Sequence, residues 1–170
     1  MDPAPAFGGT VLNESKPRTA SPCIAGAMRA ASRRLTMLYD EVMAPSGLRV
    51  TQFHILSELE RRTSKPPTVT ELCEILTMER TALGQTLQPL ERQGLVEQIR
   101  DESDRRRRPV RLTPAGQRAV IRGRKYWAEA HAHFERFFGN KALVELRTTL
   151  RDIAESPALL AEFASKSGTK

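Results

Sequence analysis

Four consecutive arginines, Arg105 to Arg108, constrain this chain more than any other feature. Guanidinium groups packed this densely repel one another, so the run belongs neither in a core nor along the middle of a sheet. It suits a projecting loop bathed in water, and it becomes favourable when a polyanion lies between the cations. The flanks agree with that placement. Residues 95–100, Leu-Val-Glu-Gln-Ile-Arg, and 109–112, Pro-Val-Arg-Leu, read as short strands on either side of the arginine tip.

Helical signals precede this hairpin. Residues 22–43 carry Ile24, Met28, Ala31, Leu35, Leu38 and Val42 at alternating steps of four and three, one apolar stripe, and Pro45-Ser46-Gly47 ends it. A helix over 51–62 follows, with Thr51 as its N-cap and Phe53, Leu56 and Leu59 inward. After the loop 63–67, Thr68 and Glu71 have capping-box spacing and start a short helix over 69–76. Thr77 caps a further helix over 78–93, and Gly94 stops it. Two helices joined by a short turn, then a strand, a basic tip and a strand, give a winged helix-turn-helix. Thr113-Pro114 opens a long helix ending near Phe138, with Val120, Trp127, Ala130, Phe134 and Phe137 in its stripe. A last helix starts near Lys141 with Leu143, Leu146, Leu150 and Ile153 inward, and Pro157 breaks or kinks it.

The expected architecture is therefore mainly α. It is a winged helix-turn-helix with a small antiparallel β wing, plus N- and C-terminal dimerisation helices. Residues 1–21 are rich in Pro, Ala, Gly, Ser and Thr without periodicity and read as a disordered or loosely ordered arm. Residues 22–45 form a dimerisation helix, 46–113 the winged lobe, 114–165 the C-terminal dimerisation helices, and 166–170 a frayed tail. A winged motif needs only about three helices. The surplus helices at both ends of the chain, each with an apolar seam, suit pairing with a second copy; mutual coverage within one chain is the plainer use.

The charge balance fits an anionic partner. Lys plus Arg is 27 against 20 Asp plus Glu, a net charge of +7. No apolar run approaches the roughly 20 residues of a membrane span, so no membrane association is expected. Cys23 and Cys73 form no metal or disulfide pattern, which fits a reducing cytoplasm. No phosphate loop, nucleophile elbow or metal cluster is present, so the reading is not an enzyme, and neither cofactor nor metal is expected.

In the helix over 78–93, Ala82, Leu83, Leu87 and Leu90 make the core side. Arg80, Thr81, Gly84, Gln85 and Gln88 remain on the other, short or polar as a major groove requires. Gln85 and Gln88 can pair bidentately with adenine, Thr81 can reach a phosphate or a thymine methyl, and Gly84 permits close approach. Arg105, Arg106, Arg107 and Arg108 read as the wing, one arginine entering a narrow minor groove and the others resting on phosphates. Asp104 braces that wing through an ion pair. Pro89 removes one backbone hydrogen bond deep in the groove-facing helix and predicts a bend near 85–88 or a tightened last turn.

Ordered motifs then bring a family into view. They are Gly47-Leu-Arg-Val-Thr-Gln-Phe53, Val69-Thr-Glu-Leu72, Leu90-Glu-Arg-Gln-Gly-Leu-Val96, and Asp104-Arg-Arg106 leading to Val110-Arg-Leu-Thr-Pro-Ala-Gly116. Over about residues 23–155 the chain resembles the MarR family of bacterial transcription regulators. The resemblance implies Arg106 as the wing arginine and Asp104 as its brace. It implies a homodimer on a palindromic double-stranded operator; many members are repressors released by small, often aromatic or phenolic ligands, and some sense oxidants through cysteine. One departure is Gln85, which stands where many members have arginine, so base preference does not carry over.

The family's ligand pocket lies between the dimerisation helices and the DNA-binding lobe, which makes Tyr39, His54 and Trp127 the candidates; ordinary core packing explains each of them too. Cys23, at the start of the first helix, is the candidate for an alternative redox-responsive regulator. A winged-helix protein-interaction module without DNA binding is a further alternative, against which the arginine cluster argues.

Overall fold

The structure, a computed structural model, describes residues 23–99 and 107–167. The expected arm at 1–21, the tip residues Asp104, Arg105 and Arg106, and the last three residues of the tail lie outside them. The chain divides into two units, Met1–Leu35 and Thr36–Lys170. Among its described residues the first unit supplies only the opening turns of the first helix; the second unit holds the rest of that helix and every later element.

The elements run α1 (Ile24–Met43), a single 3-10 turn (Ala44–Ser46), α2 (Val50–Arg61), α3 (Val69–Leu76), α4 (Arg80–Arg92), β1 (Val96–Gln98), β2 (Val110–Leu112), α5 (Pro114–Phe138), α6 (Asn140–Glu155) and α7 (Pro157–Ser167). The strands pair antiparallel with Val96 opposite Leu112, Glu97 opposite Arg111 and Gln98 opposite Val110. This is the mainly helical winged helix-turn-helix that the sequence predicts. Pro157 opens a separate helix rather than bending α6.

The core gathers one face from each element of the lobe. Ile55, Leu56 and Leu59 of α2, Leu72 of α3, Leu83, Leu87 and Leu90 of α4, Val96, Val110, and Ala119 and Val120 of α5 are all buried. Each fully buried Leu or Ile contributes about 1.5–3 kcal/mol relative to exposure. Apolar residues thus hold the two helices of the motif and the wing stem around one centre.

Local chemistry fixes the joints. The Thr68 amide donates to the Glu71 carboxylate at 2.6 Å, and the Glu71 amide donates to Thr68 Oγ1 at 3.2 Å, the expected capping box. Thr113 Oγ1 accepts from the Gly116 amide at 3.0 Å and donates to the Gly94 carbonyl at 2.6 Å, which ties the start of α5 to the end of α4. Gly94 sits at φ 67°, a backbone region that glycine enters without a side-chain clash.

Four expectations are corrected. Thr51 does not cap α2: the helix starts one residue earlier after Arg49, the Arg49 amide donates to Gln52 Oε1 and the Val50 amide to Asp40 Oδ1, so other side chains cap it. Thr77 does not cap α4; it ends α3 at φ 51°, in the left-handed region, and α4 begins after Glu79. Ala82 is exposed, because the core face of α4 narrows to Leu83, Leu87 and Leu90. On α6 no residue is buried, and Leu146, Leu150 and Ile153 are 40–48 % exposed, so its seam is left largely uncovered.

Candidate nucleic-acid interface and adjoining cleft

Helix α4 presents its polar side outward. Arg80, Thr81, Gln85 and Gln88 are exposed, and a β-carbon added at Gly84 would meet nothing within 4 Å. Because residues 81, 84, 85 and 88 recur at helical spacing, they share the face opposite Leu83, Leu87 and Leu90. Arg80 Nη1 donates to Thr70 Oγ1 at 3.2 Å, so a cation at the start of α4 is tied to α3. The helix continues through Pro89 to Arg92.

The wing stem lies next to this helix. Beyond the β1–β2 ladder, the Ile99 amide donates to Pro109 O at 2.9 Å and the Val110 amide to Pro67 O at 2.8 Å. Thr68 bridges Pro109 in antiparallel fashion, so the loop before α3 acts as a third edge of the sheet. Arg111 Nε donates to Glu97 Oε1 at 2.9 Å across the strands. Of the arginine run, Arg108 is exposed. Arg107 instead turns to α3: its Nη2 donates to the Glu71 carboxylate at 3.3 and 3.4 Å. The Glu71 carboxyl is held below its ordinary value first by the Thr68 backbone amide, then by the Thr68 hydroxyl, with Arg107 adding to the effect. In the sequence Glu71 is visible only as a cap and Arg107 only as a phosphate contact. Their pairing is invisible there because they are 36 residues apart.

A second feature gathers the three expected ligand candidates. Tyr39, His54 and Trp127 line one cleft of about 540 Å³ with Phe53, Glu60, Arg61 and Arg124. The Phe53 and Trp127 rings are 6.3 Å apart, and Trp127 stacks on His131 at 5.2 Å. Tyr39 stacks on Phe134 at 5.3 Å, and its hydroxyl lies 3.4 Å from His131 Nδ1. Arg124 Nη2 donates to Glu60 Oε2 at 2.6 Å, and Arg61 pairs with the buried Glu58, which also holds Arg62. Burial, then the Arg61 charge, pushes the His54 pKa down, so its imidazole is neutral at pH 7. Burial raises the pKa of Tyr39. Sequence reasoning misses the charged rim, although Arg124 stands one helical turn before Trp127.

The remaining candidates are scattered. Cys23 is exposed immediately before α1, and Cys73 is half-buried against the core. Among the described residues no group of three His, Cys, Asp or Glu side chains could hold a metal ion, and no helix is long and apolar enough to cross a membrane.

Residues 46–107 match the MarR family model. No curated protein sequence matches the chain. Among solved structures, the M. tuberculosis transcriptional regulator MosR in complex with DNA is 27% identical, covering 81% of this chain and 98% of its own, with a TM-score of 0.71. The transcriptional repressor CouR bound to a 23-mer DNA duplex is also 27% identical, covering 78% of this chain and 93% of its own, with a TM-score of 0.69. CouR bound to p-coumaroyl-CoA aligns at 23% identity over 79% of this chain and 93% of its own, with a TM-score of 0.69. The family model covers the lobe that carries α4 and the wing stem, and the solved regulators extend the likeness through the helices around it: over that lobe the chain is similar to the MarR family.

Proposed function

We propose that this chain is a homodimeric transcription regulator, a repressor, that binds a palindromic duplex operator and leaves it when a small aromatic ligand fills the cleft lined by Tyr39, His54 and Trp127. The observation that carries the reading is the outward face of α4. Its short and polar residues are left uncovered by the protein beside a basic wing. A helix in the major groove needs such a face for base edges, and a wing beside it needs cations for phosphates. Gln85 and Gln88 read bases; Arg80 and Arg108 neutralise phosphate; Arg105 and Arg106 supply the tip. Support for DNA as the partner comes from MosR and CouR, both solved on it.

The unburied apolar side of α6, together with exposed Phe137, Phe138 and Phe163, supports the dimer. The ligand response is supported by the aromatic walls of the cleft and by CouR, solved with p-coumaroyl-CoA. The test is fluorescence anisotropy with duplex DNA from the chain's own upstream region. Binding should weaken steeply with salt, as released counterions require. Gln85→Ala should change the ranking of operator variants, whereas Arg106→Ala should weaken all of them alike. No binding at low salt would remove the proposal.

A further inference from the structure

The wing is joined to α3 by an ion pair that the family resemblance does not assign. We propose that Glu71 is a positioning residue for the wing. Its carboxylate, paired with Arg107, holds the return limb of the wing to the N-terminus of α3 and so fixes the wing relative to α4. Three observations converge on this joint. Glu71 is already oriented by the capping box, since the Thr68 amide donates to it at 2.6 Å, so its carboxylate is a preset anchor. Arg107 reaches both carboxylate oxygens from one nitrogen, at 3.3 and 3.4 Å. The backbone repeats the connection two residues on, where Thr68 bridges Pro109 and the Val110 amide donates to Pro67 O.

The chain of contacts continues to the groove-facing helix. Thr70, one residue before Glu71, accepts a hydrogen bond from Arg80 at the start of α4. Leu72, one residue after it, is fully buried in the core shared with Leu83 and Leu90. Glu71 therefore sits where α3, α4 and the wing are joined. A basic tip gains from a fixed angle to the neighbouring helix, because misplacement of either element forfeits contacts with the other's groove.

The DNA consequence rests on the function proposed for the chain; the clamp itself does not. The experiment compares wild type, Glu71→Gln, Arg107→Gln and the double variant as full chains. Glutamine at 71 keeps an acceptor for the Thr68 amide and removes the charge, so the cap survives while the pair is broken. Hydrogen exchange of the free protein should rise at residues 96–99 and 107–112 in both single variants, with α2 unchanged. DNA affinity should fall by about fivefold in each single variant, as for a half-exposed ion pair, and the double variant should be no weaker than either. Unchanged exchange in the wing of Glu71→Gln would overturn the clamp. Tighter DNA binding by Glu71→Gln would overturn its positioning role, since Arg107 would then have been withheld from phosphate. A wild type that binds no duplex would remove the DNA reading alone, and the exchange comparison would still decide the clamp.

Discussion

At the residue scale, two glycines with opposite surroundings make opposite predictions. A β-carbon at Gly116 would stand 2.0 Å from the Leu95 carbonyl oxygen, a backbone atom that cannot swing aside. Gly116→Ala should cost about 3 kcal/mol, read as a lowered midpoint in urea denaturation with unchanged slope. At Gly84 the same atom would meet nothing within 4 Å. Gly84→Ala should raise stability by about 1 kcal/mol, the helix-propensity difference, while lowering DNA affinity if α4 lies close against a groove. A variant more stable and equally tight on DNA would place the helix farther from the duplex. The sequence singles out Gly84 from its face on the helix. It marks Gly116 only as the end of a motif and hides the cause, a carbonyl brought close by the Thr113–Gly94 and Thr113–Leu95 bonds.

Elements are legible where a local signal is strong. The Thr68–Glu71 spacing marks the start of α3, and Thr113-Pro114 marks the start of α5, because a cap is chemistry between residues three apart. Thr68→Ala should cost about 1 kcal/mol, visible in thermal unfolding, because it removes the hydroxyl that accepts from the Glu71 amide. The start of α2 escapes the sequence because its cap comes partly from Asp40, ten residues back. The turn between α3 and α4 escapes it because Thr77 adopts a left-handed conformation that nothing local to a threonine announces. The seam of α6 is apolar as its spacing indicates, but periodicity reports a face and not what covers it. The cleft shows the same limit. Tyr39, His54 and Trp127 are legible as aromatic helix positions, whereas the Glu60–Arg124 pair beside them depends on tertiary contact.

On the scale of the whole molecule, association and pH are the two levers. Leu150 and Ile153 are each 40 % exposed on α6, a cost that a partner surface would relieve. In the homodimer proposed above, Leu150→Asp should shift dimer to monomer in light scattering and reduce DNA affinity with it. A variant that stays dimeric would move the interface elsewhere. The acid response follows from His54, whose pKa lies below the ordinary 6.5 in the fold. Below that pH the unfolded chain binds more protons at this site than the native one. The His54 contribution is therefore present above pH 6.5 and lost as pH falls through the lowered native value. Stability measured by urea titration should decline as pH falls below 6.5, and His54→Gln should flatten that decline.

Pro89 carries a consequence of its own. It has no amide hydrogen to offer the Gln85 carbonyl, yet α4 runs on to Arg92. Cohesion in that final turn is thereby transferred from the backbone ladder to the buried side chains of Leu87 and Leu90. Trimming Leu90 would accordingly unravel the tail of the rod while leaving its opening turns intact, an uncoupling that an unbroken ladder would resist.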